Sequence, residues 1–410
     1  MRWDTFKIKE VAEIKPPKKF AKVRVGEADL VSVVPMEFLG IATKFFSSRK
    51  EAALEAVYSK YVYFEDDDVV MAKITPCFEN GKIGVAKDLK NGIGFGSSEF
   101  IPFRCSENLH PVFLYHFMDR KSFRMEGSRL MTGAVGHKRI PKDFYEEFMI
   151  PIPPLEEQER IVVVLDKAFA AIDKAKANIE RNLTNARELF QSRLREIFSN
   201  PSEDWKLRKI KEVALIRPPK KLAKSRVGSD ELVSVVPMEC LGIDKKFFGS
   251  EKEGVLENVY SKYVYFEDDD VVIAKITPCF ENGKIGVASG LRNGIGFGSS
   301  EFIPFRCNED LCPAFLYHFM NRDSFRNEGS RLMTGAVGHK RIPKDFYEEF
   351  SIPIPPLGEQ ERIVRELDSL DKMKRGLEMK YQTELDNFEE IRQSILEQAF
   401  EGKLTKPVAA

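Results

Sequence analysis

Gly127-Ser128-Arg129-Leu130-Met131-Thr132-Gly133-Ala134-Val135-Gly136-His137-Lys138-Arg139-Ile140-Pro141-Lys142-Asp143-Phe144-Tyr145-Glu146-Glu147-Phe148 returns from Gly329 to Phe350 without a change. Outward from this stretch, residues 3–160 match residues 205–362 at a constant offset of 202 with no gap. Roughly four positions in five are identical, far more than a shared fold alone requires. Val31–Glu37 returns as Val233–Glu239, and Ile74–Gly84 as Ile276–Gly286. A solenoid needs several short repeats, so two long ones are two whole domains. Copies this alike have nearly the same chemical surface. If each recognises something, both recognise the same thing.

At 410 residues the chain is too long for a single core. Its 43% hydrophobic and 31% charged residues describe an ordinary globular protein. No apolar run approaches the roughly 20 residues that span a bilayer, and Met1–Lys7 has no signal-peptide core; a cytoplasmic location is expected. Cys77, Cys105, Cys240, Cys279, Cys307 and Cys312 form no C-x-x-C pair and no zinc spacing, so reduced thiols are expected. The formal net charge is zero, which by itself argues against a nucleic-acid binder; local charge runs matter more than the sum.

Within a copy, Leu30–Val34, Tyr61–Phe64, Val69–Ile74 and Ile83–Ala86 read as strands, punctuated by turns at Pro76, Asn80-Gly81 and Asn91-Gly92. Pro111 to Phe123 has helical spacing. The expected class is therefore α+β (mixed α/β): two near-identical globular domains. From Leu155 to Phe198 there is no proline or glycine, and Leu165, Phe169, Ile172, Ile179, Leu183, Ala186 and Phe190 follow a 4-3 rhythm interrupted at Lys176. Ile363, Leu367, Leu370, Leu377, Tyr381, Phe388, Ile391 and Ile395 make a second seam, interrupted at Lys374 and Glu384. Such spacing predicts two long coiled-coil helices that separate the domains; the charged interruptions either set register or reach solvent. A run of about 44 residues makes a rod of about 65 Å at 1.5 Å per residue. The expected boundaries are 1–154 for the first domain, 155–198 for the first helix, 199–204 for a linker, 205–356 for the second domain, 357–402 for the second helix and 403–410 for a tail.

Several chemical signals are declined. Glu65-Asp66-Asp67-Asp68 reads as a solvated acidic turn rather than a metal site. Gly92–Ser98 lacks the flanking elements of a dinucleotide loop and reads as a tight turn. No G-x-x-x-x-G-K-[ST] phosphate loop is present, nor an Asn-Pro-Pro-aromatic methyltransferase motif. The five histidines have no identifiable catalytic partners, and His116 reads as structural.

Ile150-Pro151-Ile152-Pro153-Pro154-Leu155-Glu156-Glu157-Gln158 followed by Glu159-Arg160-Ile161, and its match at Ile352–Ile363, resemble the helix entries of the specificity subunits of type I restriction–modification systems. The ending Arg392–Leu404 and the openings Trp3-x6-Glu10-Val11-Ala12 and Trp205-x6-Glu212-Val213-Ala214 are similar to that family's too. The resemblance covers almost the whole chain. It implies a non-catalytic subunit that selects double-stranded DNA through two target-recognition domains held by antiparallel helices. It implies partners: two modification subunits on the helices and restriction subunits drawn in through the complex, with no membrane partner and a homodimer possible when free. It also implies that S-adenosylmethionine, ATP and Mg belong to the partners and that this chain holds no cofactor or metal. The family usually carries two unlike recognition domains, whereas these are near copies. Equal domains related by a pseudo-two-fold would read equal half-sites in inverted orientation, an interrupted palindrome with halves about 34 Å apart.

Three stretches of each copy are candidates for DNA contact. Lys15, Lys18, Lys19, Lys22 and Arg24, with counterparts Arg217, Lys220, Lys221, Lys224 and Arg226, form an acid-free run kept extended at its start by Pro16-Pro17. It suits phosphate neutralisation or is a solvated loop. The loop from Gly127 to Arg139 offers Ser128, Arg129, Thr132, Lys138 and Arg139, repeated as Ser330, Arg331, Thr334, Lys340 and Arg341; it touches bases or backbone, or else packs on the long helix. Asn80 and Lys82, with Asn282 and Lys284, are contacts for adenine and for guanine or phosphate, or members of a plain Asn-Gly turn.

Overall fold

A computed structural model describes residues 3–404 apart from Val135, Asp244 and Val337. The repeated loop is thus described except at Val135 and Val337, and the expected tail only to Leu404.

The chain forms two compact units, one up to Ile179 and resuming at Thr383, the other from Glu180 to Gln382. In the first, the run Val69–Ala72 is apolar at every position because both of its faces are covered. Alternate side chains of a strand point to opposite faces. Val69 and Met71 therefore meet the helix Pro111–Met118, while Val70 and Ala72 meet Phe64 and Phe100. Val69–Ala72 lies inside a five-stranded sheet ordered Ala12–Ile14, Phe100–Cys105, Val69–Ala72, Ile83–Ala86, Phe45–Phe46. Against it packs a four-stranded sheet ordered Glu51–Ala53, Leu30–Val34, Ile93–Gly96, Val62–Glu65, with Leu30–Val34 and Ile93–Gly96 parallel. The outer face of this second sheet is covered by the short helices Lys19–Arg24 and Leu54–Tyr58 through Ala21, Leu54 and Val57. The second unit repeats these layers strand for strand.

The expected strands and helices are present, with informative exceptions. The helix begun at Pro111 stops at Met118, and a separate one runs Lys121–Leu130. Gly92–Ser98 is not a tight turn: after left-handed Asn91 and Gly92, Ile93–Gly96 is an inner strand. Its glycines admit neighbouring rings, since a Cβ on Gly94 would stand 2.3 Å from Phe64. The acidic turn is only partly solvated. Asp68 is buried and accepts two bonds from Arg104, at 2.9 and 2.8 Å, although burial pushes its carboxyl above the usual range. Among the described residues no cluster of three His, Cys, Asp or Glu side chains could hold a metal ion, and no helix is long and apolar enough to cross a membrane.

Two long helices, Leu155–Ser199 and Leu357–Phe400, follow the two Pro-Pro-Leu entries. The glutamine of each entry fixes its helix to the adjacent domain. Buried Gln158 accepts from the His110 N–H at 2.9 Å and donates to the carbonyls of Asn108 and Pro153 at 2.8 and 2.9 Å; Gln360 does the same with Cys312, Asp310 and Pro355. The helices run antiparallel within each unit. Lys176 pairs with Glu389 at 3.2 Å in the first, while Arg187 pairs with Glu378 and Arg193 with Glu366 in the second.

The charged interruptions are not all solvent-facing. Lys374 is buried, paired with Asp371 at 2.9 Å and placed over the Phe190 ring. The second seam is also shifted by one residue from its expected course. Ile391 is 46% exposed, whereas Arg392 is buried over Phe169, 4.0 Å from the ring centre. A guanidinium stacked on an aromatic face with Asp119 3.9 Å away can displace an aliphatic side chain from such a seam. Leu377, another expected seam residue, is 41% exposed.

The distal helix ends complete the cores. Phe400 stands edge-on to Phe113 and Phe117 in the first unit, and Phe198, its equivalent at the same offset, meets Phe315 and Phe319 in the second. Phe400→Ala is expected to destabilise the first unit alone, and Phe198→Ala the second, each by about 3–5 kcal/mol. Hydrogen exchange resolved by unit checks this. Equal loss of protection in both units for either variant would show that the helix ends are not domain-specific seals.

Candidate nucleic-acid interface

The basic run at Lys15 is built differently from its expected form. After Lys15, which takes a left-handed backbone (φ 59°), Lys19–Arg24 is a helical segment rather than an extended loop, anchored by buried Ala21. The run contains no acid, yet the fold brings acids to it. Lys22 pairs with Glu27 at 2.8 Å and lies over Tyr58, and Arg24 pairs with Glu65 at 2.8 Å. Lys18 donates to the Tyr58 carbonyl at 3.0 Å. In the second copy Lys220 donates to Tyr260, Lys224 lies over that ring and Arg226 pairs with Glu267. Lys19 and Lys221 are exposed, and no ion pair is found for either among the described residues.

The stretch from Gly127 divides into two structures. Gly127 to Leu130 is the last turn of the helix Lys121–Leu130, not loop. Gly127 is buried there, and a Cβ would lie 2.6 and 2.9 Å from Phe78 and 3.0 Å from Phe144. Its role is close helix packing rather than approach to a ligand. Ser128 turns its hydroxyl back to the Arg124 carbonyl at 2.7 Å, while Arg129 is exposed. Ser330 and Arg331 occupy the same turn in the second copy.

Beyond it, Thr132 and Arg139 exchange both backbone hydrogen bonds, at 3.0 and 2.8 Å, and close a small hairpin. Gly133 and Gly136 hold positive φ at its tip (124° and 82°), and Ala134, His137 and Lys138 are exposed. Two more backbone bonds fasten its base, Thr75 N–H to the Lys138 carbonyl and Ile140 N–H to the Lys73 carbonyl. Thr334, Lys340 and Arg341 form the same hairpin in the second copy.

The fold places Glu99 against this hairpin, a residue that sequence reading passed over. Arg139 donates through Nε and Nη2 to the two Glu99 oxygens at 2.9 and 2.8 Å, and Arg341 meets Glu301 at 2.9 and 2.8 Å. The bond from Arg139, helped by nearby Lys73, holds the Glu99 carboxyl below its ordinary range. Lys73 was passed over as well. Burial, then repulsion from Lys15 and Arg139, lowers its ammonium pKa, and Lys275 repeats this beside Arg217 and Arg341. Lys15, Lys73 and Arg139 thus form one basic recess, and nothing in their sequence separation signals it.

Lys82 is half-buried and engaged within its own domain. Its ammonium donates to the Met36 carbonyl at 3.1 Å, bracing the sheet edge, and Lys284 does the same with Met238 at 3.0 Å. Asn80 and Asn282 remain exposed beside left-handed Gly81 and Gly283. His116 is buried with its imidazole pKa lowered chiefly by that burial, consistent with a structural place.

Two sheet-built domains, each carrying an exposed glycine hairpin with basic flanks and each opening a long helix, define a class. The family model for the type I restriction modification DNA specificity domain matches residues 1–183 and again 202–387. The chain belongs to that family. The specificity subunit of the type I restriction enzyme EcoAI from Escherichia coli is 36% identical over 198 residues, which is 47% of this chain and 32% of that protein. The chain thus matches only about a third of that relative's length. Two solved structures share the fold. One, from work on complex assembly and conformational transition of the type I R-M system, has a TM-score of 0.77 at 20% identity over 98% of both chains. The other, the HsdS subunit from Thermoanaerobacter tengcongensis, has a TM-score of 0.60 at 21% identity over 98% of this chain and 97% of that one.

Gly127→Ala should force Phe78 and Phe144 apart and destabilise the first unit by about 1–3 kcal/mol, as overpacked cores do. Thermal unfolding checks this; an unchanged transition would refute the packing role.

Proposed function

We propose that this chain is the DNA-reading subunit of a type I restriction–modification enzyme. Both of its domains select sequence, while partner subunits methylate and cleave. The observation that carries the reading is the exposed hairpin with its basic recess, present twice with the same internal bonds in a family of DNA specificity domains. Phosphate neutralisation by exposed lysines supplies affinity, and the hairpins supply selection.

The chain itself performs no chemistry in this proposal. Two modification subunits dock on the long helices and restriction subunits join through them, and S-adenosylmethionine, ATP and Mg serve those partners. Identical hairpins select identical half-sites, and the target of the complex is an interrupted palindrome.

Methylome mapping of cells expressing the complex is expected to give one motif with equal, inverted halves; halves that differ in letters would refute the equal-reader proposal. The chain alone, given S-adenosylmethionine, should leave DNA unmodified. Lys19→Ala and Lys221→Ala should each weaken binding uniformly across sequences and reduce the slope of log affinity against log salt by about 0.9. A change confined to one base position would instead make these lysines base readers.

A further inference from the structure

We propose that Arg139 and Arg341 each read a guanine, one in each half-site, with Glu99 and Glu301 fixing the plane of the reading guanidinium; this rests on the DNA-recognition reading above. An arginine side chain has five N–H donors. In Arg139, Nε and one Nη2 hydrogen go to Glu99, and one Nη1 hydrogen goes to the His137 carbonyl at 3.1 Å. Among the described residues one N–H on each terminal nitrogen has no other partner, and a pair of N–H groups on the outer edge of a guanidinium can meet O6 and N7 on the major-groove edge of guanine. The side chain is 47% exposed and its Glu99 partner 20%. Arg341 repeats the pattern, with Glu301 on one edge and the His339 carbonyl at 3.3 Å.

Two features favour a base over a phosphate. The Arg139–Glu99 pair is neutral, so it has little long-range attraction for the DNA backbone, unlike exposed Lys138 beside it in the hairpin. A flexible ammonium meets a phosphate well, whereas a planar guanidinium held at a fixed angle suits a base edge, and fixing it beforehand lowers the entropic cost of binding. A purely structural role fits less well. The hairpin is already closed by the two Thr132–Arg139 backbone bonds and fastened at its base by two more, and a half-exposed ion pair adds little to stability. Glu99 is itself positioned by a turn, its backbone N–H bonded to Ser97 Oγ and its carbonyl to the Lys73 N–H.

The test uses the assembled complex with its partner subunits and a randomised duplex library. Arg139→Lys keeps the charge and removes the fork. It is expected to lose roughly 5–150-fold of the preference for guanine at one position of one half-site, and Arg341→Lys the same at the matching position of the other. Glu99→Gln should relax the same position as Arg139→Lys. A variant-free arm replaces the implicated guanine with 7-deazaguanine, which deletes N7: the wild-type complex should lose affinity and the Arg139→Lys complex should lose none further. Uniform weakening across all sequences with a shallower salt slope would mean a phosphate contact and overturn the proposal. Unchanged preference in both lysine variants would also overturn it, leaving DNA recognition itself intact. A wild-type complex that enriches no sequence would overturn the recognition reading instead.

Discussion

The docking of a long helix's far end into an aromatic cluster is the contact on which the core of each unit depends. Phe400 inserts beside Phe113 and Phe117, and Arg120 spreads over Phe117 and Phe400 with its centre 4.0 and 5.1 Å from the rings. Phe198 does the same beside Phe315 and Phe319 under Arg322. Without that end, the helix Pro111–Met118 would present its phenylalanines to water, and burial of large aromatic surfaces dominates the energetics of such cores. The helix that leaves one unit through its glutamine anchor therefore supplies a wall of the other. Chain order and core membership differ for this reason: residues after Thr383 belong with the first unit.

Much of this was legible in the residues. The offset between copies gave two domains, the onset of a 4-3 rhythm gave the long helices, and Val-rich runs located the strands. What the sequence hid was the pairing of distant side chains. Arg139 and Glu99 lie in different elements, and no local rule joins them. Gly127 looked like loop flexibility because glycine is ambiguous until its neighbours are known; a buried ring at Phe78 decides the matter. Likewise Ile391 looked like a seam residue by spacing, but a cation stacked on Phe169 took the inward position.

Differences between the copies separate packing from surface constraint. Exposed positions have drifted in many places: Asp4, Thr5 and Phe6 correspond to Lys206, Leu207 and Arg208, and Arg49 to Glu251. The tip residues Gly133, Ala134, Gly136, His137 and Lys138 are equally exposed, yet none has changed. Core packing cannot explain identity at side chains that touch solvent. A shared ligand can, because an equal surface is what equal binding requires.

The inner face of the helices shows the opposite behaviour. Asp119 becomes Asn321, and Arg392 corresponds to Phe190. In the first unit buried Arg392 lies near Asp119, whose carboxyl burial raises to about 6 against the pull of Arg124 and Arg392. In the second, Asn321 instead accepts from Arg326 at 2.8 Å, and Phe190 lies under Lys374. A phenylalanine opposite Asp119 would leave a buried carboxylate with one nearby guanidinium fewer, that of Arg392, a costly exchange. The two helix-end packings are thus not interchangeable even though the two hairpins are identical in sequence. Identity is kept at the exposed hairpins, as the proposed common ligand requires, and abandoned where each unit packs its own helix end.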